Sequence, residues 1–247
     1  GISELRTVSE RGTLNDAALV AESGTISWIG PASEAPAADE KVDLGGRAVL
    51  PGWVDSHTHM VFDGDRSAEF EARISGGSYE AGGIAVTMDA TRQAGTDRLD
   101  KLVADRVAAG RRGGTTTFET KTGYGLNTES EVEAAKVASR HVDDVTFLGA
   151  HLVPPGADAE DYLDEVVGPM LEGVAPYVQW IDVFCERGAF NEEQSRRVLE
   201  AGKKLGLGLR VHGNQLGEGP GVALAVELGA ASVDLSLIHI SEPTRRT

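Results

Sequence analysis

Cysteine and positive charge are scarce in this sequence, and each shortage excludes a class of protein. Cys185 is the only cysteine among 247 residues, so no disulfide can form within the chain. This usage is typical of a reducing compartment and predicts a cytoplasmic protein. Only 23 Lys and Arg oppose 39 Asp and Glu, which gives a formal charge of −16. Because such a surface repels phosphate backbones and anionic lipid head groups, we expect neither a nucleic-acid nor a membrane partner.

Long apolar runs are also missing. No stretch of about 18 apolar residues occurs, so the printed sequence predicts no transmembrane helix. What is present suits a globular chain: 40% hydrophobic residues suffice for a sizeable core, and 31 glycines predict many turns between short elements. The length is about that of one (β/α)8 barrel.

Three regions differ in pattern. Residues 1–47 alternate short strands with turns and predict part of a small N-terminal β-sandwich domain. Residues 48–234 alternate apolar strands with amphipathic helices, which is typical of a parallel α/β fold. Six strands are expected there, so the predicted fold class is α/β with an incomplete TIM-like (β/α)8 barrel. Residues 235–247 continue no element and resemble translated vector sequence, so we interpret them as a foreign tail.

Local signals predict where individual elements begin and end. The apolar run Ala48–Asp55 predicts one buried strand, and Thr128–Arg140 predicts a helix with Thr128 and Glu131 as a capping box. Asn191 is expected to cap the helix that follows it. The carboxyl ends of barrel strands build the active site, and five strands end in an ionisable residue. These residues are His59, Lys121, His151, Glu186 and His212.

The sharpest motif is Asp55-Ser56-His57-Thr58-His59. Side chains alternate along a strand, so His57 and His59 point to the same side. Two imidazoles placed in this way can reach one cation of the zinc type. A bare pair of this spacing also occurs at hydrogen-bonded strand ends without any metal. Here it follows an apolar strand, and other strands also end in histidine, which favours a metal site.

Three further histidines have a functional and a structural interpretation. His212 would complete a three-histidine metal set, although a single strand-end histidine is more often structural. His151 is consistent with a metal ligand, a proton carrier, a substrate donor or an anchor for its loop. His141 follows a helix, where it is favourable for the helix dipole, and we interpret it as structural.

Charged and phenolic side chains near the same strand ends offer substrate contacts. Arg66 follows the first barrel strand and is placed to bind a carboxylate through two hydrogen bonds; a solvated loop charge is the alternative. Tyr79 and Tyr124 lie in glycine-rich turns and are equally consistent with packing. Lys121 would bridge two metals if it were carboxylated. The fourth strand lacks the lysine that such sites often carry, so one metal is the simpler interpretation.

Longer strings resemble a known family. The run Pro51–His59 resembles the opening motif of the amidohydrolase superfamily. Within that superfamily, the chain is similar to the imidazolonepropionases over roughly residues 1–234. The strings that carry this resemblance are Gly64-Asp65-Arg66, Glu69-Phe70, Ser78-Tyr79, Thr117–Leu126, Gly149-Ala150-His151, Asp182–Glu186 and Val211–Gln215.

The resemblance implies a role for each matched residue. His57, His59 and His212 match three ligands of a single Zn or Fe ion. The positions that hold the substrate ring and carboxylate are matched by Arg66, Tyr79, Tyr124 and His151. The implied reaction is hydrolysis of the ring C–N bond of 4-imidazolone-5-propanoate to N-formimino-L-glutamate in histidine degradation, with water activated by the metal as nucleophile. The implied ligand is a small anion, and dimers are common in the family, which implies a homodimer.

The chain departs from the family pattern at three points. Gln215 stands where many relatives carry Glu, and a glutamine cannot act as a general base; Gln215 and His151 are the candidate catalytic residues. Leu235 stands where the family has a histidine. No Asp follows Asp234, whereas the family's last metal ligand is an Asp on the eighth strand. We therefore expect a truncated barrel that binds metal weakly and is inactive.

Two other functions are consistent with the same residues. The first is another amidohydrolase, acting on a different cyclic amide or as a deaminase. The second is a metal-binding or structural module without activity. Arg66 distinguishes the substrates, because its replacement by alanine should raise KM steeply only where the substrate carries a carboxylate.

Overall fold

The structure, a computed structural model of the 247-residue chain, describes residues 1–65, 67 and 83–236. The chain divides into two compact units, Gly1–Trp53 and Val54–Thr247. None of the described helices combines the length and the apolar character that crossing a membrane requires.

The first unit is built on a four-stranded sheet in the order β3-β2-β1-β4. Its strands are β1 (Ile2–Arg6), β2 (Thr13–Glu22), β3 (Thr25–Pro31) and β4 (Arg47–Val49). Antiparallel pairing joins the first three strands, and β4 runs parallel to β1. A small core of Ile2, Leu5 and Ala17 holds the sheet together. The small N-terminal β domain expected from the sequence is thus confirmed as a separate sheet.

The second unit contains a six-stranded sheet in the order β5-β6-β7-β8-β9-β10. Its strands are β5 (Trp53–Asp55), β6 (Thr115–Lys121), β7 (Asp144–Ala150), β8 (Trp180–Cys185), β9 (Gly208–Gly213) and β10 (Ser232–Asp234). Neighbouring strands from β6 to β10 are parallel. The predicted parallel α/β layout with six barrel strands is therefore confirmed.

Helices follow the strands along the chain. They are α1 (Gly83–Ala94), α2 (Thr96–Arg112), α3 (Thr128–Ala138), α4 (Ala159–Glu165), α5 (Leu171–Val174), α6 (Glu192–Lys204) and α7 (Gly221–Leu228). A π-helical segment, Val166–Met170, lies between α4 and α5. Single 3-10 turns span Ala32–Glu34 and Ala175–Tyr177.

The helices pack their apolar faces onto the sheet. In α2 the buried residues are Leu99, Val103 and Val107, spaced four apart so that they share one face. Asn191 caps α6 with a capping box in which its side chain accepts from the backbone of Gln194 and the Gln194 side chain accepts from Asn191 N. The expected cap at Asn191 is thus confirmed, and the strand ends are held in a fixed frame.

Two local predictions are wrong. The run Ala48–Asp55 is not one buried strand, because Pro51-Gly52 interrupts it and its two halves belong to different sheets; proline lacks the N–H that a continuous ladder needs. Thr128 and Glu131 do not form a capping box. The cap of α3 is Asn127, whose side chain accepts from Ser130 N, and Glu131 is buried.

Candidate active site

Three histidines converge at the carboxyl ends of the strands. His57 and His59 follow β5, and His212 lies in β9. The ring centroids of His57 and His212 are 4.8 Å apart, and those of His57 and His59 are 5.2 Å apart. β5 and β9 are separated by three strands in the sheet, so the sheet has to curl to bring these rings together, as it does in a barrel.

Two of the three rings are oriented by carboxylates. Nδ1 of His57 lies 2.8 Å from Oδ2 of Asp234, and Nδ1 of His212 lies 2.9 Å from Oδ2 of Asp182. An ionised carboxylate only accepts hydrogen bonds, so each Nδ1 is the donor, and Nε2 of the neutral ring then carries the lone pair. A carboxylate behind an imidazole is a common arrangement around metal-binding histidines.

The donor atoms fit a divalent cation. One nitrogen from each of His57, His59 and His212 lies within 4.8 Å of the other two. Nε2 of His57 and Nδ1 of His59 are buried and have no hydrogen-bond partner among the described residues. Burial and the neighbouring imidazoles hold the pKa of His59 well below its usual value, which keeps its ring neutral and able to ligate. Three neutral imidazoles are a donor set that zinc and iron both accept.

Beneath the histidines, Lys121 joins three carboxylates. Its Nζ lies 3.0 Å from Oε1 of Glu119, 3.2 Å from Oδ2 of Asp182 and 2.9 Å from Oδ2 of Asp234. Burial opposes the charged amine, but these carboxylates outweigh it and hold the pKa of Lys121 above its usual value. A protonated amine offers no lone pair to a metal, so this contact set favours one metal rather than a bridged pair.

Both aspartates are ionised in this network. Burial alone would raise the pKa of Asp182, but His212 and Lys121 hold it well below its usual value. The pKa of Asp234 is also held below its usual value, because the hydrogen bond from His57 and the charge of Lys121 outweigh the effect of burial. The sequence did not identify Asp182, Asp234 or Glu119 as part of the site. The available signal was an ionisable side chain inside an otherwise apolar strand, as at Asp182 between Ile181 and Val183.

Aromatic and imidazole rings lie beside the three histidines. The Tyr124 ring lies 5.7 Å from that of His59 and 5.4 Å from that of His151, and His151 stacks 6.0 Å from His59. Phe184 lies 5.9 Å from His151 on the other side. The structure therefore brings two of the sequence-predicted substrate residues, Tyr124 and His151, beside the predicted ligands.

The turn that carries Tyr124 is held from two sides. The buried Glu131 carboxylate accepts from the backbone N–H groups of Gly123, Gly125 and Leu126 at 2.9, 2.7 and 2.9 Å. On the other side, Arg92 donates to the carbonyl oxygens of Gly125 and Leu126. The carbonyl of Gly123 accepts from Nδ1 of His151 at 2.8 Å. Since that carbonyl can only accept, the contact also fixes the protonated nitrogen of His151.

Gly123 has a direct structural reason to be glycine. Its φ of +104° lies in the region that favours glycine, and a Cβ there would come within 2.5 Å of the Leu148 carbonyl oxygen. The turn can therefore lie close to the strand that leads to His151.

The remaining predicted site residues are not among the rings that meet at the three histidines. Gln215 follows β9, and its backbone N–H donates to Oε1 of Glu186 at 2.5 Å, which joins two strand ends. Arg66 and Tyr79 lie outside the described residues. His141 is not among these rings, and its Nε2 lies 3.0 Å from Oδ1 of Asp100.

Curated proteins similar to this chain were found across nearly its whole length, although no family model matches it. The imidazolonepropionase of Arthrobacter sp. (strain FB24) is 65% identical over 234 residues, which are 94% of this chain and 58% of the relative. That of Micrococcus luteus is 62% identical over 98% of this chain and 61% of the relative. The chain spans about three fifths of the length of these relatives. The resemblance inferred from the motifs is confirmed.

Solved structures show the same fold at low identity. An amidohydrolase matches with a TM-score of 0.59 and 15% identity over 94% of this chain and 59% of its own. Guanine deaminase from C. acetobutylicum, with bound guanine, matches with a TM-score of 0.56 and 14% identity over 86% of this chain and 52% of its own. An adenosine deaminase from Xanthomonas campestris, with bound zinc, matches with a TM-score of 0.51 and 17% identity over 92% of this chain and 54% of its own. These likenesses concern the fold alone, and they confirm the predicted α/β fold class with an incomplete barrel.

Proposed function

We propose that this chain carries the metal-binding part of an imidazolonepropionase, which hydrolyses the ring C–N bond of 4-imidazolone-5-propanoate to N-formimino-L-glutamate. The observation that carries the proposal is the meeting of His57, His59 and His212 beside Tyr124 and His151, in a chain 65% identical to curated proteins of that name.

In this proposal the three imidazoles hold one divalent ion, zinc or iron. Such an ion supplies Lewis acidity and lowers the pKa of water to near neutrality. The chain's own contribution is orientation, since Asp234 and Asp182 fix the hydrogen on Nδ1 of His57 and His212 and so leave Nε2 to ligate.

The substrate ring would lie against the aromatic side of the site. The rings of Tyr124 and His151 meet edge to face with their centroids 5.4 Å apart, and a phenol and an imidazole supply the donors and acceptors that an imidazolone ring requires. The propionate carboxylate is assigned to Arg66 and Tyr79 on the strength of the resemblance. An arginine there provides the paired N–H groups that a carboxylate prefers.

Proton transfer is assigned to His151. Gln215 stands near the site, but an amide can only orient water and cannot take up its proton. Among the described side chains, the imidazole of His151 stacks on a metal ligand and has its Nδ1 fixed by the Gly123 carbonyl, so its other nitrogen is the group suited to exchange a proton.

The proposal extends to partners and location. The ligand is a small organic anion. The whole protein is proposed to be a cytoplasmic homodimer, which light scattering of the purified protein would test. A monomer at micromolar concentration would contradict the dimer.

Metal analysis and ligand binding test the function. We expect about one equivalent of Zn or Fe per chain after reconstitution, lost in His57→Ala and retained in the matched control His141→Ala. Calorimetry should show binding of an imidazolone that bears the propionate and none of one that lacks it. Binding of a purine instead would favour the deaminase alternative, and unchanged metal content in His57→Ala would refute the ligand assignment.

Turnover is a separate measurement. The expectation from the sequence is that the 247-residue chain does not hydrolyse the imidazolone. Turnover by this chain would support the reaction but contradict the expected inactivity.

A further inference from the structure

We propose that Lys121 is a positioning residue for the metal ligands: its ammonium group fixes the carboxylates of Asp182 and Asp234, which hold the rings of His212 and His57 with Nε2 available to the ion. The inference rests on the metal site proposed above. It adds a residue to that site which neither contacts the ion nor the substrate.

The first argument is the layer in which these residues lie. Lys121 ends β6, Asp182 lies in β8 and Asp234 ends β10, so all three come from alternate strands. In a barrel, side chains from alternate strands fill one layer of the interior. His212 comes from the intervening β9, and His57 follows β5. The layer of Lys121, Asp182 and Asp234 therefore supports the layer that contains His57 and His212.

The second argument is the sharing of oxygen atoms. Oδ2 of Asp234 accepts from both Nδ1 of His57 and Nζ of Lys121, at 2.8 and 2.9 Å. Oδ2 of Asp182 accepts from Nδ1 of His212 at 2.9 Å and forms an ion pair with Nζ of Lys121 at 3.2 Å. Each carboxylate oxygen thus lies between the lysine and an imidazole. Loss of the lysine charge would let both carboxylates move, and both rings would then lose their fixed orientation.

The third argument is that Lys121 is itself fixed. Its Nζ pairs with Glu119 Oε1, which also accepts from Arg210 at 2.7 Å. Glu119 Oε2 accepts from the backbone N–H of Thr58, the residue between the two ligating histidines, at 3.1 Å. The ammonium therefore has one defined position, and a long flexible side chain can act as a rigid support.

The two histidines depend on Lys121 to different degrees. Asp182 has a second anchor, because its Oδ1 accepts from the backbone N–H groups of Val183 and His212 at 2.8 and 3.2 Å. Asp234 lies in β10, the edge strand of the described sheet, and its further side-chain hydrogen bond comes from Ser232. Removing the lysine charge should therefore release the ring of His57 more than that of His212.

Lys121→Met isolates the charge. Methionine keeps an unbranched side chain, and the backbone bond from Lys121 N to Thr58 O, 2.9 Å long, remains. Lys101→Met is the matched control, since Lys101 is an exposed lysine that pairs with Asp105. The metal-free readout is nitrogen NMR of the imidazoles, which reports for each ring which nitrogen carries the hydrogen. The second readout is zinc affinity by competition with a chelator.

We expect wild type and Lys101→Met to show hydrogen on Nδ1 of His57 and His212. In Lys121→Met the hydrogen of His57 should be shared between Nδ1 and Nε2, with a smaller change at His212. Zinc affinity should fall by roughly 10- to 100-fold, the range typical for residues behind the ligands. In an Asp182→Asn, Asp234→Asn background the same substitution should change the affinity less than about threefold, since its route to the histidines is gone.

Unchanged His57 NMR signals in Lys121→Met, or an equal loss of zinc affinity in the double-aspartate background, would overturn the inference. Lys121→Gln is the second variant if the methionine variant does not fold. If neither folds, Asp234→Ala must release His57 while His212 keeps its hydrogen on Nδ1, and any other pattern refutes the arrangement. Wild type that binds no zinc would refute the proposed metal site, whereas the metal-free NMR pattern would still decide the role of Lys121.

Discussion

Removing the Glu131 carboxylate should release the turn that carries Tyr124. The side chain is fully buried, and its two oxygens accept three backbone N–H groups, from Gly123, Gly125 and Leu126. In Glu131→Ala these three backbone donors and the Thr122 side chain, which also donates to the carboxylate, would lose their acceptor. The isosteric Glu131→Gln keeps one oxygen, which can retain the two bonds now made by Oε1, but its NH₂ group then faces the N–H of Gly123.

The expected cost follows from the number of lost acceptors. A buried donor left without a partner costs about 1–3 kcal/mol, so Glu131→Gln should lower the free energy of unfolding by about that amount. Glu131→Ala should cost about 3–5 kcal/mol, less than three full penalties. Part of the loss is offset because burial raises the pKa of Glu131, which means that the folded chain spends free energy to keep this carboxylate charged.

Urea unfolding and amide hydrogen exchange measure the effect. The matched control is Glu129→Gln, an exposed residue in the first turn of the same helix, which should change stability by no more than about 0.5 kcal/mol. Exchange should accelerate at Gly123, Gly125 and Leu126 in the Glu131 variants and stay slow in β7. A cost below about 1 kcal/mol for Glu131→Ala, or unchanged exchange in the turn, would show that the carboxylate does not hold it.

Three further predictions concern the metal ligands and a helix cap. Because the pKa of His59 is held below its usual value, the unfolded chain binds a proton near pH 6.5 that the folded chain does not bind. The contribution of His59 to the stability of the metal-free protein should be constant above pH 6.5 and fall by up to about 1.4 kcal/mol per pH unit below it, and His59→Asn should flatten this slope in urea titrations. Zinc at about 100 times its dissociation constant should stabilise the wild type by about 2.7 kcal/mol, visible as a rise in Tm that His57→Ala abolishes and His141→Ala keeps. Asn191→Ala should cost about 0.5–2 kcal/mol by removing the cap of α6, with zinc affinity unchanged; a weaker zinc site in that variant would contradict the separation of cap and site.

Local chemistry was sufficient to predict several features. The pair His57 and His59 follows from the alternation of side chains along a strand, and the cap at Asn191 from its side-chain acceptor. The buried residues of α2, Leu99, Val103 and Val107, follow the four-residue spacing of one helical face. Each of these depends on residues only a few positions apart, so no knowledge of the whole fold is needed.

Contacts across the sheet could not be predicted in the same way. The bond between His57 and Asp234 joins residues 177 positions apart, and it depends on how far six strands curl. Glu131 was interpreted as a capping residue because its spacing from Thr128 fits that pattern, but the nearby turn supplies three N–H groups that compete for the carboxylate. The division of Ala48–Asp55 at Pro51-Gly52 could not be predicted in this way either. Each half alone is apolar, and only the two separate sheets show that the run is divided.

The buried charges are relevant to how an acidic chain would bind the anion of the proposed function. Three carboxyl groups, Glu119, Asp182 and Asp234, face two buried cations, Lys121 and Arg210, so this network carries one net negative charge when all three carboxyl groups are ionised. That negative charge would attract a cation. A bound divalent ion would change the net charge of the network from one negative to one positive charge. The negative field of the whole protein then opposes an anionic ligand only at long range, where salt screens it. Within the site the ion sets the sign, because nearby charges in a buried environment interact more strongly than distant surface charges.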